Sequence, residues 1–561
     1  MDSVASPVHD LADDLAVACF RRDPFLASTS GVSGYDAGVP DVSAQAEADW
    51  RAYLVDVVQR ADQLEQPDPG AESILLRAVR DTATRLLAVV DGRTDRYTVT
   101  TLPFADGPSR LLTIAARTTI TDPDSALDYL ERCAAAGPYL HGCAARLRGD
   151  HAAGLVSVAP LVDSAIAQLD LALAGSAEQT LLGHDDPPGW AGAGIWRERL
   201  ARVVADEIVP ALAGYREVLA ELRGAARPPE QAGLIHARGG AAAYACAVRA
   251  GTTMAADADE LHAFGLAAMT EIEADLAELG ARALGAAAAA EVFQRLRATA
   301  DPAPGEDVLA RVRAAVARAE ARRAEMFHPP LPDPCEVVAM PPHLAGSGAP
   351  PMYQPPTEDG RRAGAYLINV EQPSFSGTWA LESVAFHEAV PGHHAQFGRL
   401  HKSADLPVLL RRFGVVPHSE GWGLYAEGLA DELGLYSDDV QRLGMLANRA
   451  WRAVRVVVDT GLHARGWSRR RALEFALAHT ALAEPFMRAE IDRYVAMPGQ
   501  ALGYLVGYTE LIRLREVVRQ RQGADFDLRD FHSAVLDHGS LPLPVLAAAV
   551  TGAEPPDRAD R

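Results

Sequence analysis

The sequence predicts a mostly α-helical protein with a small β-sheet set beside one long buried helix. Two observations carry this. Along most of the chain apolar residues recur three and four apart with charges on the opposite face, the periodicity of amphipathic helices. Between residues 328 and 373 that pattern gives way to a Pro- and Gly-dense stretch holding two β-like runs.

From Val8 to about residue 224 the segments LADDLAVACF, DWRAYLVDVVQRADQL, SILLRAVRDTATRLLAVV, LDYLERCAAA and RLARVVADEIVPALAGYREVLAELR all carry the helical pattern, separated by turn signals such as Asp185 to Gly189. A second helical block runs from about 240 to 326. Its segment ARALGAAAAAEVFQRLRA reads as close-packed helix, because Ala has the highest helix propensity and a short side chain. The runs CEVVAM (335–340) and AYLINV (365–370) then read as strands flanking the Pro-rich connection PPMYQPP. Helices resume through SGTWALESVAFHEAV, GWGLYAEGLADELGL, QRLGMLANRAWRAVRVVVDTGLHARG and TELIRLREVVRQR, with no internal repeat. The organisation expected is one domain over 1–561, built from a helical lobe (1–327), a sheet insertion (328–373) and a second helical lobe (374–561).

Composition excludes several classes. The chain has 561 residues, 48% hydrophobic and 23% charged, too apolar for disorder and too long for a single simple core. The net charge of −22 repels phosphate backbones and anionic lipid, so neither nucleic acid nor membrane is an expected partner. Lys402 is the single lysine; the basic side is otherwise arginine. The 5 cysteines are scattered without a CxxC pair and read as buried small hydrophobes. The first residues lack a basic segment followed by an apolar core, so the expected location is cytoplasmic.

Residues 387–394 read His-Glu-Ala-Val-Pro-Gly-His-His. In the HExxH helix motif two histidines four apart share a face and bind zinc while the Glu activates water. Here the fourth position is Pro391, and His393 at i+6 would sit about 240° round a regular helix from His387. Pro391 cannot donate to the carbonyl at 387, and Gly392 accepts unusual dihedrals, so a local bulge would bring His393 to the His387 side. On this reading His387 and His393 are imidazole ligands and Glu388 the general base; an unbroken helix through 391 would exclude it. A catalytic site needs a third ligand. Glu420 is preferred, near a helix start with Gly421 behind it to leave room, and Glu427, seven residues on and near the same face, is the alternative.

These motifs, with SGYDAGVPDVS (33–43), MYQPPTEDGRRAGAYLINV (352–370), SEGWGLYAEGLADELG (419–434), VVDTGLHARGWS (457–468) and IDRYVAMPGQALGYLVG (491–507), make nearly the whole chain resemble the bacterial domain-of-unknown-function family 885. The resemblance implies a zincin-like metallopeptidase: an elongated two-lobed helical body of the neurolysin and carboxypeptidase Taq type with a channel between the lobes. Its HExxPGH pattern matches His387, Glu388, Pro391, Gly392 and His393, leaves His394 as an extra histidine beside the ligands, and puts the third ligand at Glu420. Asp459 and His463, four apart on a helix, are candidates to orient a ligand or bind a substrate terminus. Tyr504 and Tyr494 are candidates to stabilise an oxyanion, and Arg493 to receive a substrate carboxylate, with Gln500 beside them. The run AYLINV, Asn369 in particular, is expected to lie along the substrate as an edge strand. Trp379 and Trp422 read as packing around the metal helices.

The expected function is zinc-dependent hydrolysis of peptide or peptide-like amide bonds in short substrates. The alternative is a metalloenzyme of the same fold, with Zn²⁺, Fe²⁺ or Mn²⁺, acting on another small molecule, since a His₂-carboxylate set also suits iron. A helical binding protein without metal is the third reading.

Overall fold

The computed structural model describes residues 6–68, 70–299, 307–330, 333–341, 350–357, 362–370, 377–403 and 405–552. Helices hold 71% of the residues and strands 3%; a large connected core runs from Val8 to Leu546, and a small second cluster forms around Met340 and Leu367 at the sheet. The N-terminal half is a set of long helices, among them Pro7–Arg22, Ala44–Gln63, Ala71–Gly92, Pro123–Ala152 and Val209–Arg223. Their starts follow the sequence: Ser6, Ser43 and Asp122 each accept a hydrogen bond from a backbone N–H of the first turn. No helix among the described residues is long and apolar enough to cross a membrane.

Three helices lead into the part that builds the site: α1 (Gly240–Thr252), α2 (Ala258–Ala283) and α3 (Val308–Ala321). The sheet follows, with β1 (Glu336–Ala339), β2 (Met352–Gln354) and β3 (Ala365–Ile368) in the order β1-β3-β2. β1 runs parallel to β3 and β2 antiparallel to it, with Tyr353 opposite Tyr366. The two runs read as strands are therefore strands. The expectation of an edge strand is corrected, however: the run AYLINV forms the central strand, and a third strand taken from the Pro-rich connection covers its other side. Asn369 lies just past β3 and is buried.

After the sheet come α4 (Leu381–Glu388), α5 (His393–Lys402), α6 (Val416–Glu432), α7 (Asp439–His463), α8 (Glu484–Ala496), α9 (Gly503–Gln522) and α10 (Leu528–Leu536). α7 is the long buried helix. Asp438 caps its start by accepting from the N–H groups of Val440 and Gln441, and it is buried along almost its whole length. α2 packs closely on it where Gly265 meets Val456 and Val457; a Cβ at Gly265 would come within 2.8 Å of Val457.

Several histidines in this region are buried, which disfavours their charged form. His532 donates from Nδ1 to the Met326 carbonyl (2.7 Å) and accepts at Nε2 from the Tyr425 hydroxyl (2.9 Å); burial pushes its pKa down to about 3. A folded-state pKa below the unfolded value means that unfolding takes up a proton, so this contribution is present above pH 6.5 and is lost as the pH falls towards 3. Wild type is therefore expected to lose ~3 kcal/mol relative to a His532→Gln variant between pH 7 and pH 4. Urea midpoints for both proteins across that range check this, and a pH-independent difference contradicts it.

Candidate metal centre

The sequence 387–394 does not continue one helix. α4 stops at Glu388, a turn spans 389–392, and α5 starts at His393. Pro391 has no N–H to give, and Gly392 runs so close to the end of α4 that a Cβ there would lie 1.9 Å from the His387 carbonyl oxygen. Trp422 of α6 clamps the turn, its indole N–H donating to the carbonyls of Pro391 (3.0 Å) and Gly392 (3.2 Å). Trp422 thus does more than pack. The expected bulge is in fact a complete break, and it sets the two imidazoles with ring centroids 4.7 Å apart at 87°.

α6 supplies the third group. Glu420 Oε2 lies 3.3 Å from His387 Nε2 and 3.7 Å from His393 Nε2, and one ligand atom from each of the three residues lies within 4.8 Å of the others. A tetrahedral ion with bonds of about 2.0–2.1 Å spaces its ligand atoms roughly 3.3 Å apart, so two imidazole nitrogens and a carboxylate in this arrangement fit a divalent ion. The tautomer fits as well. His387 Nδ1 donates to Glu427 Oε1 (2.9 Å), which turns Nε2 towards Glu420 as the nitrogen a metal ion would take in exchange for its proton. Ser383 donates to the other Glu427 oxygen, and Asn448 Nδ2 donates to Ser383 Oγ (3.0 Å). Of the two glutamates weighed for the third position, Glu420 stands on the Nε2 side of His387, and Glu427 orients that histidine from behind. His393 Nδ1 is buried without a hydrogen-bond partner among the described residues.

Electrostatics agree with a cation site. Burial pushes the Glu420 carboxyl up, but hydrogen bonds from His387 and His393 overcome it and hold the group well below its ordinary range. Burial opposes a charge on His387, yet Glu420 and Glu427 raise it to about 9. One other group of this kind occurs among the described residues, His328 with Asp527 and Asp530, but it is more exposed and Asp527 is bound to Arg529 at 2.6 Å.

Room for the imidazole comes from Gly423, not Gly421. A Cβ at Gly423 would fall 2.4 Å from His387 Cε1 and 2.5 Å from Nε2, whereas Gly421 faces Gly507 of α9. Gly423→Ala is therefore expected to push His387 out of line and weaken metal binding by at least about tenfold, as loss of ligand orientation does elsewhere. A competition titration with a zinc chelator reads this; unchanged affinity contradicts it.

Glu388, at the end of α4, reaches the sheet. Its Oε2 accepts from the Tyr353 backbone N–H of β2 at 2.8 Å. Burial raises its pKa, against the opposing pull of His393 and His387, which suits a group that must take up a proton. His394 contributes on the same side. It donates from Nε2 to the Asp333 carbonyl (2.6 Å), and its Nδ1 meets the Tyr353 hydroxyl (3.2 Å), tying α5 to β2.

The remaining candidates separate. The Tyr504 hydroxyl makes no hydrogen bond among the described residues; its ring carries the Arg455 guanidinium at 4.3 Å, and after burial the Glu420 charge is the main cause raising its pKa. Tyr494 is engaged elsewhere: its hydroxyl donates to Glu490 Oε2 (2.7 Å) and accepts from Trp451 Nε1 and Arg455 Nε (both 3.2 Å). Arg493 makes two bonds to Glu490 (2.8 and 2.9 Å) and a third to Gln500 (2.5 Å), so its fork and the Gln500 amide oxygen are taken up internally. Asp459 does not touch His463 by a hydrogen bond. It accepts from the Tyr244 hydroxyl (2.6 Å) and from the Gly499 N–H (3.1 Å). His463 accepts from Leu234 N at Nδ1 (3.1 Å) and donates from Nε2 to the Tyr494 carbonyl (3.0 Å), bonds that join α7, α8 and the segment before α1.

Sequence reasoning missed Ser383, Tyr353, Asn448, Arg452 and Arg455. For the last three a signal existed. Positions 448, 452, 455, 459 and 463 are polar and three or four apart on a helix otherwise apolar and buried, so Asp459 and His463 belong to a longer polar stripe.

Comparison with known proteins adds the family and the fold. A crystal structure described as "the putative lipoprotein from Colwellia psychrerythraea" superposes with a TM-score of 0.87 at 25% identity, covering 97% of this chain and 98% of that one. A second, from Shewanella oneidensis, described as a putative lipoprotein of unknown function, gives a TM-score of 0.75 at 16% identity over 97% of this chain and 99% of that one. None of the curated proteins matches the chain. The family model for DUF885, bacterial proteins of unknown function, matches residues 24–550, and the chain belongs to that family.

Proposed function

We propose that the protein is a zinc-dependent hydrolase of peptide or peptide-like amide bonds in short substrates, a zincin-like enzyme with HExxPGH in place of HExxH. The observation that carries this is the convergence of His387, His393 and Glu420 at ligand spacing with Glu388 directly beside the first histidine. When bound, a divalent ion supplies a Lewis acid that acidifies water and polarises a carbonyl. The protein's own residues would do the rest. Glu427 holds the His387 ring in register. Glu388, steadied by the Tyr353 N–H, takes a proton from water and passes it to the departing amine. Tyr504, whose hydroxyl makes no hydrogen bond among the described residues and feels the Glu420 charge, would donate a hydrogen bond to the oxygen on which negative charge develops.

Amine release from a panel of dipeptides and tripeptides by zinc-loaded protein tests the reading. Hydrolysis that stops with a chelator and returns with zinc is expected. Fully loaded protein that cleaves no peptide in the panel would overturn the peptidase assignment.

A further inference from the structure

The polar stripe on α7 contains an arginine whose buried guanidinium lies against aromatic rings without a bonded counter-charge among the described residues. Arg452 is 7% exposed and forms no ion pair among the described residues. Its Nε is buried without a partner, and its Nη1 has only a long 3.5 Å contact with the Asn448 carbonyl one turn back. Arg455, 4% exposed, gives Nη2 to Glu490 (3.0 Å) while its Nη1 is also buried and unpartnered. Arg493 uses the same Glu490. Two guanidiniums thus share the Glu490 carboxylate, and Arg452 beside them has no carboxylate bonded to it among the described residues. The two with spare donors flank Tyr504, at 5.8 Å (Arg452) and 4.3 Å (Arg455) from its ring centroid, and both lie on the ring of Trp451.

A buried guanidinium without a counter-charge is unfavourable unless something supplies one, and a planar fork is suited to a carboxylate. The neighbouring acids are committed. Glu427 holds His387 and Ser383, and Glu420 faces the two imidazoles. Arg452 follows Asn448 by one turn of α7, and Asn448 donates to the Ser383 hydroxyl that is bonded to Glu427 behind His387, so Arg452 lies on the face of α7 turned towards the candidate metal centre.

We infer that Arg452, with the spare Nη1 of Arg455, is a carboxylate-recognition site beside the candidate metal centre, so that substrates bearing a carboxylate close to the scissile amide are selected. The position of the carboxylate relative to a cleaved bond rests on the hydrolase reading; its binding by the two arginines does not. The carboxylate can be a chain terminus or an Asp or Glu side chain. Arg493, the arginine to which the sequence assigned this role, is instead a positioning residue that ties Glu490 to Gln500.

The test uses the full-length zinc-loaded protein and the Arg452→Met variant. Met has similar bulk and removes a buried unpaired charge, so a purely structural arginine predicts altered stability with unaltered selectivity, whereas the proposal predicts a melting temperature no lower than wild type with selectivity lost. Isothermal titration with N-acetyl-Ala-Ala, its C-terminal amide and N-acetyl-Ala-Asp-amide reads binding, and hydrolysis of the free-acid and amide tripeptides reads KM and kcat. Wild type is expected to prefer a carboxylate ligand by about 10- to 100-fold, mainly in KM, and Arg452→Met to bring acid and amide within about threefold, with Arg452→Lys recovering part of the preference. Preference for the first peptide assigns a terminal carboxylate, and preference for the third a side-chain one. Equal binding of all three by wild type, or a preference that survives in Arg452→Met, overturns the proposal. Selective binding without hydrolysis would sustain it while removing the peptidase reading.

Discussion

Glu388→Gln is expected to bind metal as wild type does and to lose turnover by about 10²- to 10⁴-fold, the usual contribution of a positioned general base. The geometry makes this a clean substitution. The amide oxygen of Gln can still accept from the Tyr353 N–H, so the bond between α4 and β2 survives and neither His387 nor His393 is asked to move. What disappears is the ability to hold a proton at that atom. Steady-state rates beside metal content per chain read the outcome; a variant that retains full activity eliminates Glu388 as the base, and one that loses its metal shows that the substitution disturbed the ligands.

Tyr504→Phe is expected to lower kcat by about 10²- to 10³-fold with little change in KM, since it removes a donor needed only as charge develops. The ring, which carries the contacts to Arg455 and Arg452, is kept, so packing around α7 and α9 is retained. The contrast with Tyr494→Phe is informative. That hydroxyl sits between Glu490, Arg455 and Trp451, so its loss is expected to appear as reduced stability. Equal kinetic effects from the two substitutions would contradict the assignment of the oxyanion role to Tyr504.

The convergence of the candidate ligands was legible because its defining signals are local. Two histidines, a glutamate and a Pro-Gly pair within seven residues signal both the candidate ligands and the break in the helix that brings the imidazoles together. The division of labour between Glu420 and Glu427 was not legible. Seven residues apart on one helix, they face the same histidine, and only the tertiary approach of α6 to α4 decides which nitrogen each meets. Gly423 was hidden for the same reason, as its partner His387 lies on another helix. Arg493 and Tyr494 misled because they sit beside a recognisable turn, although Glu490 three and four residues earlier was a readable sign that they satisfy one another. The sheet was placed correctly in the chain, but β2 is three residues long in a Pro-rich segment with no alternation to reveal it, and its presence turned the expected edge strand into the central one.

The central claim is that His387, His393 and Glu420 hold a catalytic divalent ion. Metal analysis of protein purified without added metal or chelator, alongside Glu420→Ala, tests it most directly. The expected result is one equivalent of zinc per chain in the wild type and much less than one in the variant. Wild-type protein that carries no divalent ion and does not take up zinc on titration, or a Glu420→Ala variant that holds it equally well, would contradict the account.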